Sequence, residues 1–208
     1  MELQELILPI GTGCTMELAD PGLLNYYEQL DRRTIWVDSE IDITLLELTK
    51  KILAWNTEDR LVPVEDRIPI RVCIFSPGGN LAETMHACSV IQMSRTPIYT
   101  YNMGMSMSGG FMLLIAGLKG HRYALPYSRS LCHSGSGGVS GDFQRAKDAM
   151  DDYKAQISDM QNFILEHTDI SKAQLTKKKD CDWYMGAEDM VKYGVVDHII
   201  TDIGEIIG

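Results

Sequence analysis

The stretch "YNMGMSMSGGFMLLIAG", residues 101–117, joins an extended segment to an apolar run that reads as a buried helix. Ser106 and Ser108 stand two residues apart, just ahead of Gly109 and Gly110. A serine at a strand-to-helix junction is either an exposed nucleophile beside free backbone N–H groups or an ordinary helix cap. Ser108 directly precedes the glycine pair and suits the first role better than Ser106. The strict Gly-x-Ser-x-Gly elbow is absent, and Ser-x-Ser-x-Gly centred on Ser108 is a relaxed version of it.

The same alternation of strand and helix continues on either side. "RTIWVDS" (33–39) and "IRVCIFS" (70–76) read as strands, and "TPIYTYNMG" (96–104) as the strand leading into the opening stretch. "DITLLELTKKILAWN" (42–56) has apolar residues at 45, 48, 52 and 55, a helical spacing with Asp42 or Thr44 as N-cap. "LAETMHACSVIQMSR" (81–95) reads as a second helix, and "HRYALPYSRSLCHSG" (121–135) as two short strands around Pro126. "TEDRLVPVEDRIP" (57–69), charged and holding two prolines, reads as a solvated loop. This βαβ alternation predicts an α/β fold. From Phe143 to His167 a stripe of positions 143, 146, 150, 153, 157, 160, 164 and 167 repeats at steps of three and four. It fits a long helix packed along a partner, or one folded back on its own domain.

Composition narrows the function classes. The 208 residues suit one domain or one domain with an appendage. A formal net charge of −10 argues against nucleic acid or an anionic membrane as partner. The cysteines at 14, 73, 88, 132 and 181 are odd in number, and most lie in apolar segments, which predicts reduced, buried thiols. No Cys-x-x-Cys pair occurs, and a Cys/His/Asp metal cluster lacks ligand spacing. "MELQELILPIG" has neither the basic nor the long apolar region of a signal peptide, and no apolar run is long enough to span a membrane.

A nucleophilic serine needs a base. Among His86, His121, His133, His167 and His198, only His133 ends an apolar strand at the mouth of a glycine-rich loop, both anchored and accessible. "KKKDCDWYMGAEDM" (177–190) offers Asp180 and Asp182 as carboxylates to orient the imidazole. "SPGGN" (76–80) follows a strand and precedes a helix, and its glycine N–H groups could face an oxyanion or simply make a turn. No Gly-Lys-Ser/Thr follows, so it is not a nucleotide-binding loop.

Taken together, "FSPGGN", "GMSMSGGFMLLIAGLKGHRYALPYSRSLCHSGSGG" and "DWYMGAEDMVKYGVVDHI" resemble the Clp protease proteolytic subunit, a self-compartmentalised serine peptidase. The resemblance covers roughly residues 26–203, with several separated motifs in order. It implies a crotonase-like α/β fold of stacked ββα units with a protruding helical handle, here 143–167. It divides the chain into an N-terminal segment, 1–25, corresponding to an axial loop, and a peptidase domain, 26–208. It places the nucleophile on Ser108, the base 25 residues on at His133, and the orienting carboxylate 49 residues further at Asp182, with Asp180 the weaker choice. The oxyanion hole falls on the N–H groups of Gly79 and Gly109, with Gly78 as an alternative.

The resemblance further implies a cytoplasmic ATP-dependent endopeptidase that needs no metal or organic cofactor. Seven-subunit rings, stacked in pairs as a homo-oligomer of fourteen, would enclose polypeptide substrates delivered by a separate AAA+ unfoldase. Neither nucleic acid nor membrane is an expected partner. Three departures stand out. Gly109 occupies a position the family usually fills with a large residue, often methionine. Ser134-Gly135 replace the usual Gln-Pro, and the loop 56–69 is longer than usual. These changes keep open an inactive, structural subunit that assembles with an active paralogue. An acyl-CoA enzyme of similar fold is a further alternative.

Overall fold

A computed structural model of the chain describes residues 6–10, 14–18, 22–135 and 141–207. The segments 1–5, 11–13 and 19–21 lie outside the described residues, and with them part of the expected axial loop; so do 136–140 in the glycine-rich loop and residue 208. Strands β1 (Leu6–Ile10) and β2 (Cys14–Leu18) pair as an antiparallel hairpin. Helix α1 (Gly22–Asp31) then crosses the boundary drawn between residues 25 and 26.

The body is one mixed sheet with helices against it. Strands β3 (Thr34–Val37), β4 (Ile70–Ser76), β5 (Ile98–Met107), β6 (Arg122–Ala124) and β9 (His198–Ile199) lie side by side and parallel. Strand β7 (Arg129–Cys132) also pairs parallel with β5, and β8 (Trp183–Gly186) pairs antiparallel with β7. The helices are α2 (Leu46–Glu58), α3 (Leu81–Met93), α4 (Gly109–Ile115), α5 (Phe143–His167), α6 (Lys172–Lys178), α7 (Ala187–Lys192) and α8 (Gly204–Ile207). Connecting parallel strands by helices buries both, and α4 is buried at every position. The positions read as one face of α2, namely Leu45, Leu48, Ile52 and Trp55, are all in the core. Asp42 caps the turn Ile43–Leu45 ahead of α2 by accepting from the Thr44 N–H.

Strand β5 serves two neighbours in turn. Thr100–Asn102 pair with β6, whereas Met105–Met107 pair with β7. Between them the register against β4 shifts, from Ile74↔Asn102 to Ser76↔Ser106. The shift passes through Gly104 at φ 145°, where a side chain would sit 2.8 Å from the Phe75 ring. A bulge at that point bends the strand and re-aims its end, and only glycine fits there.

Two expectations need correction. The charged segment 57–69 is not simply a solvated loop. It forms turns at Asp59–Leu61 and Val64–Asp66, and Asp59 is buried. Asp59 accepts from Arg33 at 2.5 and 2.8 Å and from the Thr96 hydroxyl at 2.8 Å, which compensates the burial of its charge. The stripe on α5 also divides. Met160 and Ile164 are buried and Ile157 packs against the core, but Phe143 is 85% exposed and Met150 38%. The C-terminal half of this helix, about 38 Å long at 1.5 Å per residue, serves its own domain. The N-terminal half leaves Phe143 and Met150 uncovered.

Arg122, 1% exposed, ties the C-terminal end of α5 to the sheet. Its guanidinium donates to Asp197 at 2.7 and 2.9 Å and to the His167 carbonyl at 2.6 Å. Burial pushes the Asp197 carboxyl up, but the hydrogen bonds and charge of Arg122 and the N–H groups of Arg122 and Gly120 outweigh it. The net result lies below the usual carboxylate range. Asp197→Asn should therefore destabilise the fold by about 3–5 kcal/mol, because the Arg122 charge stays buried. With the folded pKa below the unfolded one, this stabilisation is present above roughly pH 4 and is lost as pH falls through the folded value. Denaturant midpoints measured against pH should show a smaller acid-side loss in Asp197→Asn than in the natural chain.

Candidate active site

Strand β5 ends at Met107, and Ser108 makes the turn into α4. Its backbone sits at φ 52° and ψ −112°, a region that costs a side-chain-bearing residue about 1–3 kcal/mol. The turn is held on both sides. The Ser108 N–H donates to the Leu131 carbonyl of β7 at 3.0 Å, and the Ser108 carbonyl accepts from the Met112 N–H at 3.2 Å. The hydroxyl caps nothing. It lies 2.8 Å from Nε2 of His133, which immediately follows β7. The parallel register Met107↔Leu131 sets the residues beyond each strand side by side, and this brings the two together.

Ser106 has a different environment. It is fully buried, its Oγ accepts from the Asn102 side chain at 2.9 Å and lies 2.8 Å from Ser130 Oγ, and its carbonyl accepts from Ser130 at 2.8 Å. Asn102 and Ser130 are themselves fully buried. Such a network binds β5 to β7 and leaves Ser106 no access to a substrate.

On the far side of His133, Nδ1 lies 3.6 Å from Asp182 Oδ1, just ahead of β8. The antiparallel pairing of Cys132 with Trp183 brings Asp182 there. The Asp182 side chain is 58% exposed and that of His133 22%, so this carboxylate acts partly through solvent. Asp180 has no such contact with His133. His86 lies within α3, His121 stacks on Tyr99, His167 on Phe163, and His198 tilts against Tyr123.

The glycine turn faces the same cleft. Gly79 and Gly109 both line it beside Ser108 and His133. Two backbone bonds, Ile41 N–H to Gly78 and Asn80 N–H to Ile41, fix the turn and leave the Gly79 N–H out of the pairing. Gly109 is the first residue of α4, where the N–H has no partner carbonyl within the helix. Gly78 is placed differently, because its N–H donates to Ser76 Oγ at 3.1 Å. Ser76 in turn donates to the Ser39 carbonyl. Sequence reasoning missed Ser76 and Asn80 as supports of this turn. Asn80 had a visible signal, standing one residue before an apolar helix, and it caps α3 by accepting from the Ala82 and Glu83 N–H groups.

The cleft holds about 340 Å³, and Leu81, Phe111, Met112, Ile157, Met160 and Ile164 give it apolar walls. Among the cysteines, Cys73, Cys88 and Cys132 are buried, but Cys181 is exposed, contrary to expectation. Burial pushes the Cys132 thiol up to about 12, so it is neutral and a poor nucleophile. Among the described residues, no group of three or more His, Cys, Asp and Glu could hold a metal, and no helix is long and apolar enough to cross a membrane.

Comparison with known proteins identifies the family. A family model described as Clp protease matches residues 22–202. ATP-dependent Clp protease proteolytic subunit 1 of Corynebacterium jeikeium (strain K411) is 36% identical over 181 residues, covering 86% of this chain and 93% of the relative. Subunit 2 of Corynebacterium diphtheriae is 35% identical over 187 residues, covering 89% of each chain. Subunit 1 of Rhodopirellula baltica is 33% identical over 175 residues, covering 82% of this chain and 73% of the relative. A match to the family model over most of the chain, with relatives this similar over most of their own length, makes the chain a member of the Clp protease family of serine endopeptidases.

Proposed function

We propose that Ser108, His133 and Asp182 form the catalytic triad of this Clp-type serine peptidase. The observation that carries the reading is the 2.8 Å contact between Ser108 Oγ and His133 Nε2 at the mouth of an apolar cleft. With its proton on Nδ1 toward Asp182, His133 accepts the Ser108 proton at Nε2 as Oγ attacks the scissile carbonyl. The oxyanion of the tetrahedral intermediate is held by the N–H groups of Gly79 and Gly109. His133 then gives the proton to the leaving amine, and the acyl group stays on Ser108. Water, deprotonated by the same imidazole, attacks that ester and releases the second product. The apolar cleft accommodates an apolar side chain on the acyl side of the cleaved bond.

The relatives are named ATP-dependent proteolytic subunits, and this sequence has no nucleotide-binding loop of its own. We therefore assign ATP use to a separate AAA+ unfoldase and place the chain in an oligomeric chamber of seven-subunit rings stacked in pairs. The uncovered N-terminal half of α5 supports a role in ring-to-ring contact. Asp182, more than half exposed and 3.6 Å from the imidazole, favours one second reading: a weak subunit that works beside an active paralogue.

Three experiments test the proposal. Ser108→Ala should abolish peptide hydrolysis, whereas Ser106→Ala, altering a buried network, should act mainly on thermal stability. Full activity in Ser108→Ala would remove the assignment. Replacing a triad carboxylate costs on the order of 10⁴ in kcat where that group is buried. The exposed Asp182 should give a smaller but clear loss in Asp182→Asn, and Asp180→Asn should leave kcat near that of the natural chain. Equal effects of the two would assign the wrong carboxylate. Phe143→Asp and Met150→Asp, exposed within the subunit, should leave it folded yet reduce the sedimentation coefficient of the assembly. Ile157 is unsuited to this test because it packs on the core and lines the cleft. An unchanged large particle in both variants would argue against α5 as the contact.

A further inference from the structure

Gly109 departs from the large residue usual in the family, and its position next to the nucleophile leaves a place to fill. The structure shows what fills it. A side chain at Gly109 would begin 2.5 Å from Thr84 Oγ1 and 3.0 Å from Ile41 Cδ1. Thr84 stands in the first turn of α3, is wholly buried, and donates its hydroxyl to the Asn80 carbonyl at 2.7 Å. The same carbonyl accepts the Thr84 N–H at 3.1 Å. One threonine therefore touches both sides of the cleft. It fastens the residue that follows Gly79, and it lies against the α carbon of Gly109.

We infer that Thr84 is a positioning residue that sets the spacing between the Gly79 and Gly109 N–H groups, supplying from α3 the bulk that residue 109 lacks. Ile41 completes the wall. Its N–H and carbonyl bind Gly78 and Asn80, and its side chain closes the remaining space over Gly109. The device rests on the proposed Ser108 chemistry and acts through it. Two amide donors must both lie near 2.7–3.1 Å from a developing oxyanion, so a shift of a few tenths of an ångström in either lowers the rate with little effect on ground-state binding. Glycine at 109 leaves that amide free to move unless something packs against it. Thr84 combines in one side chain the contact with Gly109 and a hydrogen bond to the opposing turn.

The test uses the full chain and five variants: Ser108→Ala, Thr84→Gly, Thr84→Ser, Gly109→Ala, and Thr84→Gly combined with Gly109→Ala. Peptide hydrolysis gives kcat and KM, and a peptide boronate that forms a tetrahedral adduct on the serine gives a transition-state-like affinity. Activity and boronate binding in the natural chain that disappear in Ser108→Ala establish the underlying chemistry. Their absence in the natural chain, or persistence in Ser108→Ala, overturns that chemistry and the inference with it. With the chemistry in place, Thr84→Gly and Gly109→Ala should each lower kcat and boronate affinity together, by on the order of tenfold or more, with KM nearly unchanged. The pH profile of kcat/KM should keep its shape in both variants. The double variant should recover most of the loss of Gly109→Ala, because the clash is gone and the added methyl takes the vacated place. Thr84→Ser, which keeps the hydroxyl and folds with the least disturbance, should retain near-natural kcat. Folded single variants with natural kcat and boronate affinity, or a double variant no better than the worse single one, would overturn the role of Thr84 while leaving Ser108 as nucleophile.

Discussion

The pairing of the last three residues of β5 with β7 is the constraint on which the site depends. Ser108 leaves one of these strands and His133 the other, so a parallel register of Met105–Met107 against Arg129–Leu131 decides whether hydroxyl and imidazole meet. A slip of one residue would turn every side chain of the segment to the opposite face. The register is secured by more than ladder bonds. Ser106, Ser130 and Asn102 interlock in the sealed interior between the strands, each polar group partnered. A satisfied buried network of this kind makes a displaced register costly, because the displaced polar groups would lose their partners. The serine two residues before Ser108 thus fixes where the Ser108 hydroxyl lies.

From that pairing the strain at Ser108 follows. The chain must turn sharply from strand to α4 while keeping its hydroxyl in the cleft, and the positive φ is the geometry that does so. Bonds to Leu131 and Met112 on either side of the turn, and the fully buried α4 behind it, hold the residue in place. The Arg122–Asp197 pair acts at the other end of the same assembly. It joins β6, the turn before β9 and the last turn of α5, so the cleft wall formed by Ile157, Met160 and Ile164 is anchored to the sheet. The two motifs "AGLKGHRYALPYSR" and "KYGVVD" are far apart in the chain, and they contribute the arginine and the aspartate of one buried ion pair.

What could be read from the sequence follows from the range of the forces involved. The strand–turn–helix at 101–117, the buried face of α2 and both ends of α5 at Phe143 and His167 were legible, because local periodicity and capping set them. The residues alone favoured Ser108, which precedes the glycine pair, but left its role open between nucleophile and helix cap. Both serines flank the same turn, and the partners across β7 separate them; family spacing supplied the role. Asp59 read as a solvent charge because its partners Arg33 and Thr96 lie 26 and 37 residues away. The stripe on α5 read as uniform, since periodicity carries no information about where the domain beneath it ends. Thr84 gave no signal of its own. A threonine in the first turn of a helix is ordinary, and it gains meaning only once Gly109 is seen to leave the space it fills.

The account's central claim is that the hydroxyl at 108 is the nucleophile, and covalent adduct mapping tests it most directly. The natural protein is treated with a fluorophosphonate that phosphonylates activated serines, digested, and sequenced by tandem mass spectrometry. The account predicts one adduct per chain, located on Ser108. An adduct on Ser106, or on another serine in preference to Ser108, or no labelling of the assembled protein at any pH at which it stays folded, would contradict it.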